Sequence, residues 1–186
     1  RLLELTTAEI VPLDVMPMRW DESMMGGQSG KVAVVTGSNT GIGYYMARAL
    51  ASKGASVIMA CRDPTKGEVA RDRILEEFPG SEVSVSVLDL ADLSSIEEFA
   101  DGFPSEGGLD ILINNAGVMI PPKSRTKDGF ELQFGTNHLG HFALTGRLLP
   151  MLEKTEGSRV VTVSSIAHNP GFIDFEDLHG DIKRYN

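Results

Sequence analysis

Three glycines, Gly37, Gly41 and Gly43, stand at Gly-x-x-x-Gly-x-Gly spacing directly after the apolar run Val32-Ala33-Val34-Val35 and Thr36. A glycine takes backbone angles closed to other residues and lets another group come close to the main chain. Where such a loop opens a helix, the first free N–H groups and the positive end of the dipole suit a phosphate. The segment Thr36, Gly37, Ser38, Asn39, Thr40, Gly41, Ile42, Gly43 thus reads as a candidate pyrophosphate cradle. Its spacing differs from the Gly-x-Gly-x-x-Gly of the commoner dinucleotide fingerprint. Three glycines after a strand also serve as a plain strand-to-helix turn, so the choice rests on the rest of the chain.

Polar residues follow the later apolar runs as well. Arg62 comes just after Ala60-Cys61, where an NAD-binding strand would offer Asp or Glu to ribose hydroxyls. A guanidinium there suits a 2′-phosphate and favours NADP(H); the plainer alternative is a solvated Arg62 paired with Asp63. Asp89, followed by Leu90, is placed to accept from an adenine amino group or to serve as a turn residue. Asn114-Asn115-Ala116-Gly117 puts two amides after a buried strand. Such groups are costly without partners, so they tie neighbouring loops together. His138, His141 and His168 form no metal set and read as structural residues, and no metal is expected. Tyr44 and Tyr45 read as packing or surface residues.

The elements that must position these groups alternate along the chain. A helix over 42–53 places Ile42, Met46, Ala49 and Leu50 on one side. A strand over 55–60 follows, then a helix over 64–78 with Pro64 in its first turn. Val83, Val85 and Val87 make a third strand, and Asp92 caps a helix whose Leu93, Ile96, Phe99 and Ala100 share a face. A strand over 109–113, a long helical region over 128–153 bent by Pro150, and a strand over 160–163 complete the series. This alternation predicts an α/β, Rossmann-type doubly wound parallel sheet of strand order 3-2-1-4-5, with ligands at the carboxyl ends of the strands.

The chain has 186 residues, 41% of them hydrophobic, enough for one domain with a sizeable core. Residues 31–186 read as that domain and residues 1–30 as an extension and linker. In the extension, Leu2, Leu3, Leu5 and Ile10 could line a short helix punctuated by Pro12 and Pro17, and Trp20, Met24 and Met25 cover the domain's edge. A formal net charge of −9 argues against nucleic-acid and anionic-membrane partners. The lone Cys61 excludes an internal disulfide and favours a reducing compartment, hence a cytoplasmic location. No apolar run reaches transmembrane length.

Thr36-Gly37-x-x-x-Gly41-Ile42-Gly43 after the first strand and Asn114-Asn115-Ala116-Gly117 after the fourth resemble the short-chain dehydrogenase/reductase family. Phe134 to Phe142, Arg159 to His168 and Asp174 to Leu178 extend the likeness to its retinol-dehydrogenase-like branch. The resemblance implies that Thr36 to Gly43, Arg62, Asp89, Leu90, Asn115, Ala116 and Gly117 bind NADP(H), with NAD(H) less favoured. It also implies that Asn137 helps hold a proton-relay water and that Ser165 hydrogen-bonds the substrate oxygen, with Ser164 its structural neighbour. The implied reaction interconverts a hydrophobic alcohol and its aldehyde or ketone by hydride transfer.

The family's proton donor is a tyrosine with a lysine four residues later, and no Tyr-x-x-x-Lys occurs in these residues. Tyr185 does not substitute, because one residue follows it and Lys183 precedes it at the wrong spacing for a shared helical face. The expectation is a cofactor-binding part truncated before the C-terminal strands, which in the family also build the substrate pocket and much of an oligomer interface. The chain alone is then expected to be inactive, poorly soluble or marginally stable, and the whole protein a homo-oligomer. The alternative is a catalytically inactive nucleotide-binding sensor or interaction module.

Overall fold

A computed structural model describes residues 20–103, 108–169, 171–182 and 185. Five strands, β1 (Val32–Thr36), β2 (Ser56–Cys61), β3 (Val83–Val87), β4 (Ile111–Asn114) and β5 (Arg159–Thr162), form a sheet in the order β3-β2-β1-β4-β5. Every pairing is parallel, and Val35 of β1 lies between Met59 of β2 and Ile113 of β4. The doubly wound order read from the sequence is the order observed. Its topological switch point falls between β1 and β4, where a crevice opens at the strands' carboxyl ends.

Both faces of the sheet are covered by helices, which explains the unbroken apolar run of β1. Ala33 and Val35 pack with Tyr44, Ala47, Leu50 and Ala51 of α1 (Gly41–Ser52) and with Ala70 and Ile74 of α2 (Pro64–Glu77). Val34, between them, points to the other face and packs with Ile96 and Phe99 of α3 (Leu93–Asp101) and Leu144, Leu148 and Leu152 of α4 (Gly140–Lys154). Residue-by-residue alternation along β1 thus joins two cores through one strand.

Helix starts follow local chemistry. Asp63 caps α2 by accepting the Lys66 N–H at 3.1 Å, with Pro64 in the first turn. Asp92 caps α3 by accepting the Ser94 N–H at 3.0 Å. The α1 stripe differs from the one expected. Ile42 is 63% exposed, and Tyr44 is buried at 6% beneath the Arg73 guanidinium, 4.7 Å from its ring. The helix begins at Gly41, and its buried residues are Gly43, Tyr44, Ala47, Ala49, Leu50 and Ala51, so Ala49 and Leu50 are buried as expected and Met46 is partly buried against the same core. Tyr45, its neighbour, is exposed. Leu93 is likewise partly exposed, while Ile96 and Phe99 carry the α3 face.

The long helical region also starts later than residue 128. Gly129 turns with φ +90°, and Arg125 and Glu131 form an isolated antiparallel bridge. The buried Glu131 carboxylate then accepts the N–H groups of Gln133 (2.9 Å) and Phe134 (2.7 Å). A π-helical stretch, Phe134–Leu139, leads into α4, with Pro150 inside that helix. Strand ends shift by a residue or two, with β4 at Ile111–Asn114 and β5 at Arg159–Thr162. β5 is a sheet edge and its residues are exposed, as expected of the fifth strand.

Met25 packs against the α1/α2 core, whereas Trp20 and Met24 are exposed and do not cover the edge as expected. Arg48 bridges Glu22 to Glu77 and ties the entry segment to α1 and α2. The expected helix over Leu2 to Ile10 lies outside the described residues.

Candidate nucleotide-binding site

The loop between β1 and α1 is shaped by backbone approach. Gly41 has φ +59°, the left-handed region, and a Cβ added there would meet open space. At Gly43 a Cβ would stand 2.3 Å from Asn115 Nδ2 and 2.6 Å from the Gly37 carbonyl, so only glycine lets α1 close on the loop after β4. Ser38 turns inward and is fully buried: its hydroxyl donates to the Val35 carbonyl at 2.9 Å and lies 3.6 Å from Cys61 Sγ. Burial pushes the Cys61 thiol up. Thr40, the residue at the start of α1, makes no side-chain capping hydrogen bond, and the first turn holds no acidic residue. The first N–H groups of α1 are therefore left without a side-chain acceptor from the cap, next to Thr40, which lines the crevice.

Thr36 joins the loop to β4. Its Oγ1 accepts the N–H groups of Asn115 (2.9 Å) and Ala116 (3.0 Å) and lies 3.0 Å from His141 Nε2. Asn115 Nδ2 donates to the Thr36 carbonyl at 2.8 Å, the tie between loops that the paired amides require. Asn114 Nδ2 donates to Thr145 Oγ1 at 3.0 Å. Among the described residues, Asn114 Oδ1 and Thr136 Oγ1 are buried without a hydrogen-bond partner.

A cavity of about 310 Å³ opens at this end of the sheet. Of the residues singled out in the sequence, Thr36, Gly37, Asn39 and Thr40 line one side; Arg62, Asp89 and Leu90 line the second; Asn115, Ala116 and Gly117 line the third. Ser38, Gly41, Ile42 and Gly43 do not line it; Ser38 and Gly43 pack inside the loop, Gly41 turns it at positive φ, and Ile42 is exposed. Ala60, Leu88, Val118 and Thr136 line it too and were missed. The position of Val118 right after Gly117, and of Thr136 right before Asn137, was the available signal.

The alternative for Arg62 holds in part, since the residue is exposed but does not pair with Asp63. Asp63 is committed to capping α2 and pairs with Lys66 Nζ at 3.3 Å, and Arg62 makes no ion pair among the described residues. Asp89 acts as a turn residue, its Oδ1 accepting the Ala91 N–H at 2.9 Å, and it also lines the cavity.

Asn137 lies in the π-helical stretch, and its side chain clamps Val118, accepting that N–H at 2.8 Å and donating to its carbonyl at 2.8 Å. Ser165 is exposed and not among the cavity residues. Its Oγ accepts the Ala167 N–H at 3.2 Å, capping a 3₁₀ turn at Ile166–His168. Tyr185 is occupied elsewhere. Its hydroxyl donates to Glu131 Oε1 at 2.7 Å and accepts from Gln133 Nε2 at 2.9 Å, and the hydrogen bond to Glu131 raises its pKa. Burial pushes the Glu131 carboxyl up, but the N–H groups of Gln133 and Phe134 and the Tyr185 hydroxyl outweigh it and hold it below the usual range. Lys183 lies outside the described residues. No group of three or more His, Cys, Asp or Glu side chains able to hold a metal occurs among the described residues, nor does a helix long and apolar enough to cross a membrane.

A parallel sheet of this order, with a glycine loop entering an open helix start and a paired-asparagine loop across the crevice, defines a dinucleotide-type Rossmann domain. The short chain dehydrogenase family matches residues 31–176, and the chain belongs to that family. Human retinol dehydrogenase 12 is 55% identical over 158 residues, covering 84% of this chain and 50% of its own length. The chain spans about half the length of the curated relatives it matches. Among solved structures, an uncharacterized protein from Mycobacterium paratuberculosis superposes with a TM-score of 0.79 at 51% identity, covering 89% of this chain and 57% of that one. A short chain dehydrogenase from Escherichia coli CFT073 complexed with NADPH superposes with a TM-score of 0.65 at 26% identity, covering 82% of this chain and 65% of that one.

Proposed function

We propose that this chain is the cofactor-binding part of an NADP(H)-dependent oxidoreductase acting on a hydrophobic alcohol and its aldehyde or ketone. The open start of α1 carries the reading: uncapped N–H groups, a threonine hydroxyl free of capping and no acidic side chain in the first turn. A pyrophosphate suits that start, and the Arg62 guanidinium, without an ion pair among the described residues, suits a 2′-phosphate at the carboxyl end of β2. Asp89 has one carboxylate oxygen available to an adenine amino group. The NADPH-bound relative from Escherichia coli CFT073 supports the same choice of cofactor.

When bound, the nicotinamide supplies the hydride, and the chain's own residues manage the charge on the substrate oxygen. The Ser165 hydroxyl accepts one backbone N–H, which leaves its own proton to donate to that oxygen. The Asn137 side chain fixes Val118 at the cavity wall, so the helix turn proposed to hold a relay water is tied to the cofactor floor. Retinol, named for the human relative, supports an apolar, alcoholic substrate class. A reducing, cytoplasmic setting suits the buried free thiol of Cys61, and a homo-oligomer is proposed for the whole protein.

A second reading, nucleotide binding without turnover, is favoured by the lack of Tyr-x-x-x-Lys in these residues. One experiment separates the two and tests the cofactor. In the whole protein, NADPH and NADH oxidation are followed against a panel of apolar aldehydes and ketones, beside direct titration of each cofactor. Tight NADPH binding with turnover supports the oxidoreductase, and binding without turnover supports the second reading. Arg62→Ala is expected to weaken NADPH about 10-fold or more, in line with a hydrogen-bonded charge pair, and to leave NADH unchanged. An equal loss for both cofactors would remove Arg62 from its role.

A further inference from the structure

His141 is a buried titratable group beside the cofactor cavity, 5% exposed in the first turn of α4. Both of its ring nitrogens are engaged. Nδ1 lies 2.9 Å from the Asn137 carbonyl oxygen, and Nε2 lies 3.0 Å from Thr36 Oγ1. A carbonyl only accepts, so Nδ1 carries the proton. A neutral ring then accepts at Nε2, and the Thr36 hydroxyl donates to it.

That direction fits the rest of the hydroxyl's hydrogen bonds. Thr36 Oγ1 has one proton and two lone pairs, and the lone pairs receive the N–H groups of Asn115 and Ala116. A protonated ring would present a third donor to the same oxygen and turn the hydroxyl proton to the Ile113 carbonyl, at 3.3 Å. One amide of the Asn115–Ala116 floor would then lose its acceptor. Burial holds His141 below the ordinary histidine range, the Asn137 carbonyl opposing and nearby His138 reinforcing the shift.

We propose that His141 is a positioning residue of the cofactor site. Its neutral imidazole aims the Thr36 hydroxyl so that the oxygen holds both amides of the cavity floor, and it ties that floor to the Asn137 turn. Asn137 closes the loop from the other side by clamping Val118, which lines the same cavity. The proposal rests on the nucleotide reading of that cavity.

The test combines a double-mutant cycle with ring-nitrogen NMR. NADPH and NADH are titrated into the protein and into Thr36→Val, His141→Leu and the double variant, with melting followed in parallel. Each single variant is expected to weaken both cofactors about fivefold, the worth of one buried neutral hydrogen bond. The double variant is expected to lose no more than either single, because both break one chain of bonds. The NADPH-to-NADH ratio stays constant, since Arg62 is untouched. In the unsubstituted protein, nitrogen-15 shifts are expected to show His141 neutral with the proton on Nδ1.

Losses that multiply in the double variant overturn the proposal, as does a folded His141→Leu with unchanged affinity. If His141→Leu does not fold, His141→Gln and the tautomer measurement decide, and a proton on Nε2 overturns the proposal. Failure of the unsubstituted protein to bind either cofactor overturns the nucleotide reading and this proposal together. Binding with independent losses overturns this proposal alone.

Discussion

Helices α1 and α2 both start at the carboxyl end of a parallel strand, and α3 follows β3 after a short turn, yet the starts are finished differently. Asp63 and Asp92 turn back to satisfy the first N–H groups of α2 and α3. The Asp92 carboxyl is held down to about 2, first by Lys127 and then by Ser94. Thr40 does nothing of the kind for α1. A self-capped helix has used its positive end on its own chain, whereas an open one keeps it for an outside anion. The open start is also the one beside the cavity, the loop with Gly37 and Gly41 at positive φ, and Arg62. The capped and open helix starts are thus distinguished by a single side chain.

The sharpest way to break this contrast is to make α1 resemble its neighbours. Thr40→Asp is expected to cap α1 and leave melting unchanged or higher, while NADPH affinity drops about 100-fold or more through like-charge repulsion at the phosphate site. An unaltered titration would remove the helix start from the site. Gly43→Ala comes next, because its Cβ has no room against Asn115 Nδ2 and the Gly37 carbonyl. A cost of about 1–3 kcal/mol is expected from overpacking, seen as a lower melting temperature together with weaker NADPH binding. The reverse control is Asp92→Ala. It removes a structural cap, so melting falls by a few degrees while NADPH affinity stays the same.

The smallest effect concerns pH. His141 is held below its ordinary value of 6.5 in the folded state, so the unfolded chain binds the proton first. Its contribution is complete above pH 6.5 and is lost as pH falls through the lower folded value. Melting temperature is expected to decline on acidification below pH 6.5, and His141→Leu is expected to flatten that part of the curve. The Asp92 contribution lies lower, between its ordinary 3.8 and about 2, so the two windows separate.

The strand order and the cavity's three walls were legible because both rest on short-range patterns. Unbroken Val/Ile runs mark strands buried on both faces, and the residues just beyond them must sit at the strands' carboxyl ends. Asp92 and Pro64 likewise announce helix starts locally. What escaped depends on register or on distant partners. The α1 face turned on a distant partner, since Tyr44 is drawn inward beneath Arg73 of α2 while Ile42 stays exposed. The late start of the long helix depends on Glu131, whose carboxylate reads as a surface charge until it is seen buried against Gln133 and Phe134. Ser38 belongs to the glycine motif, yet its hydroxyl holds the turn from inside. The bond between Thr36 and His141 spans 105 residues, and no local spacing encodes it.

The most direct measurement follows backbone amide resonances while NADPH is added. The largest shifts are expected at Gly41, Ile42 and Gly43, where the open N–H groups of α1 meet the phosphates, with the amides of Lys66 and Ser94 at the capped starts of α2 and α3 nearly still. Shifts concentrated at α2 or α3, or none at Gly41 to Gly43 at saturating NADPH, would contradict the assignment of that helix start as the cofactor's phosphate site.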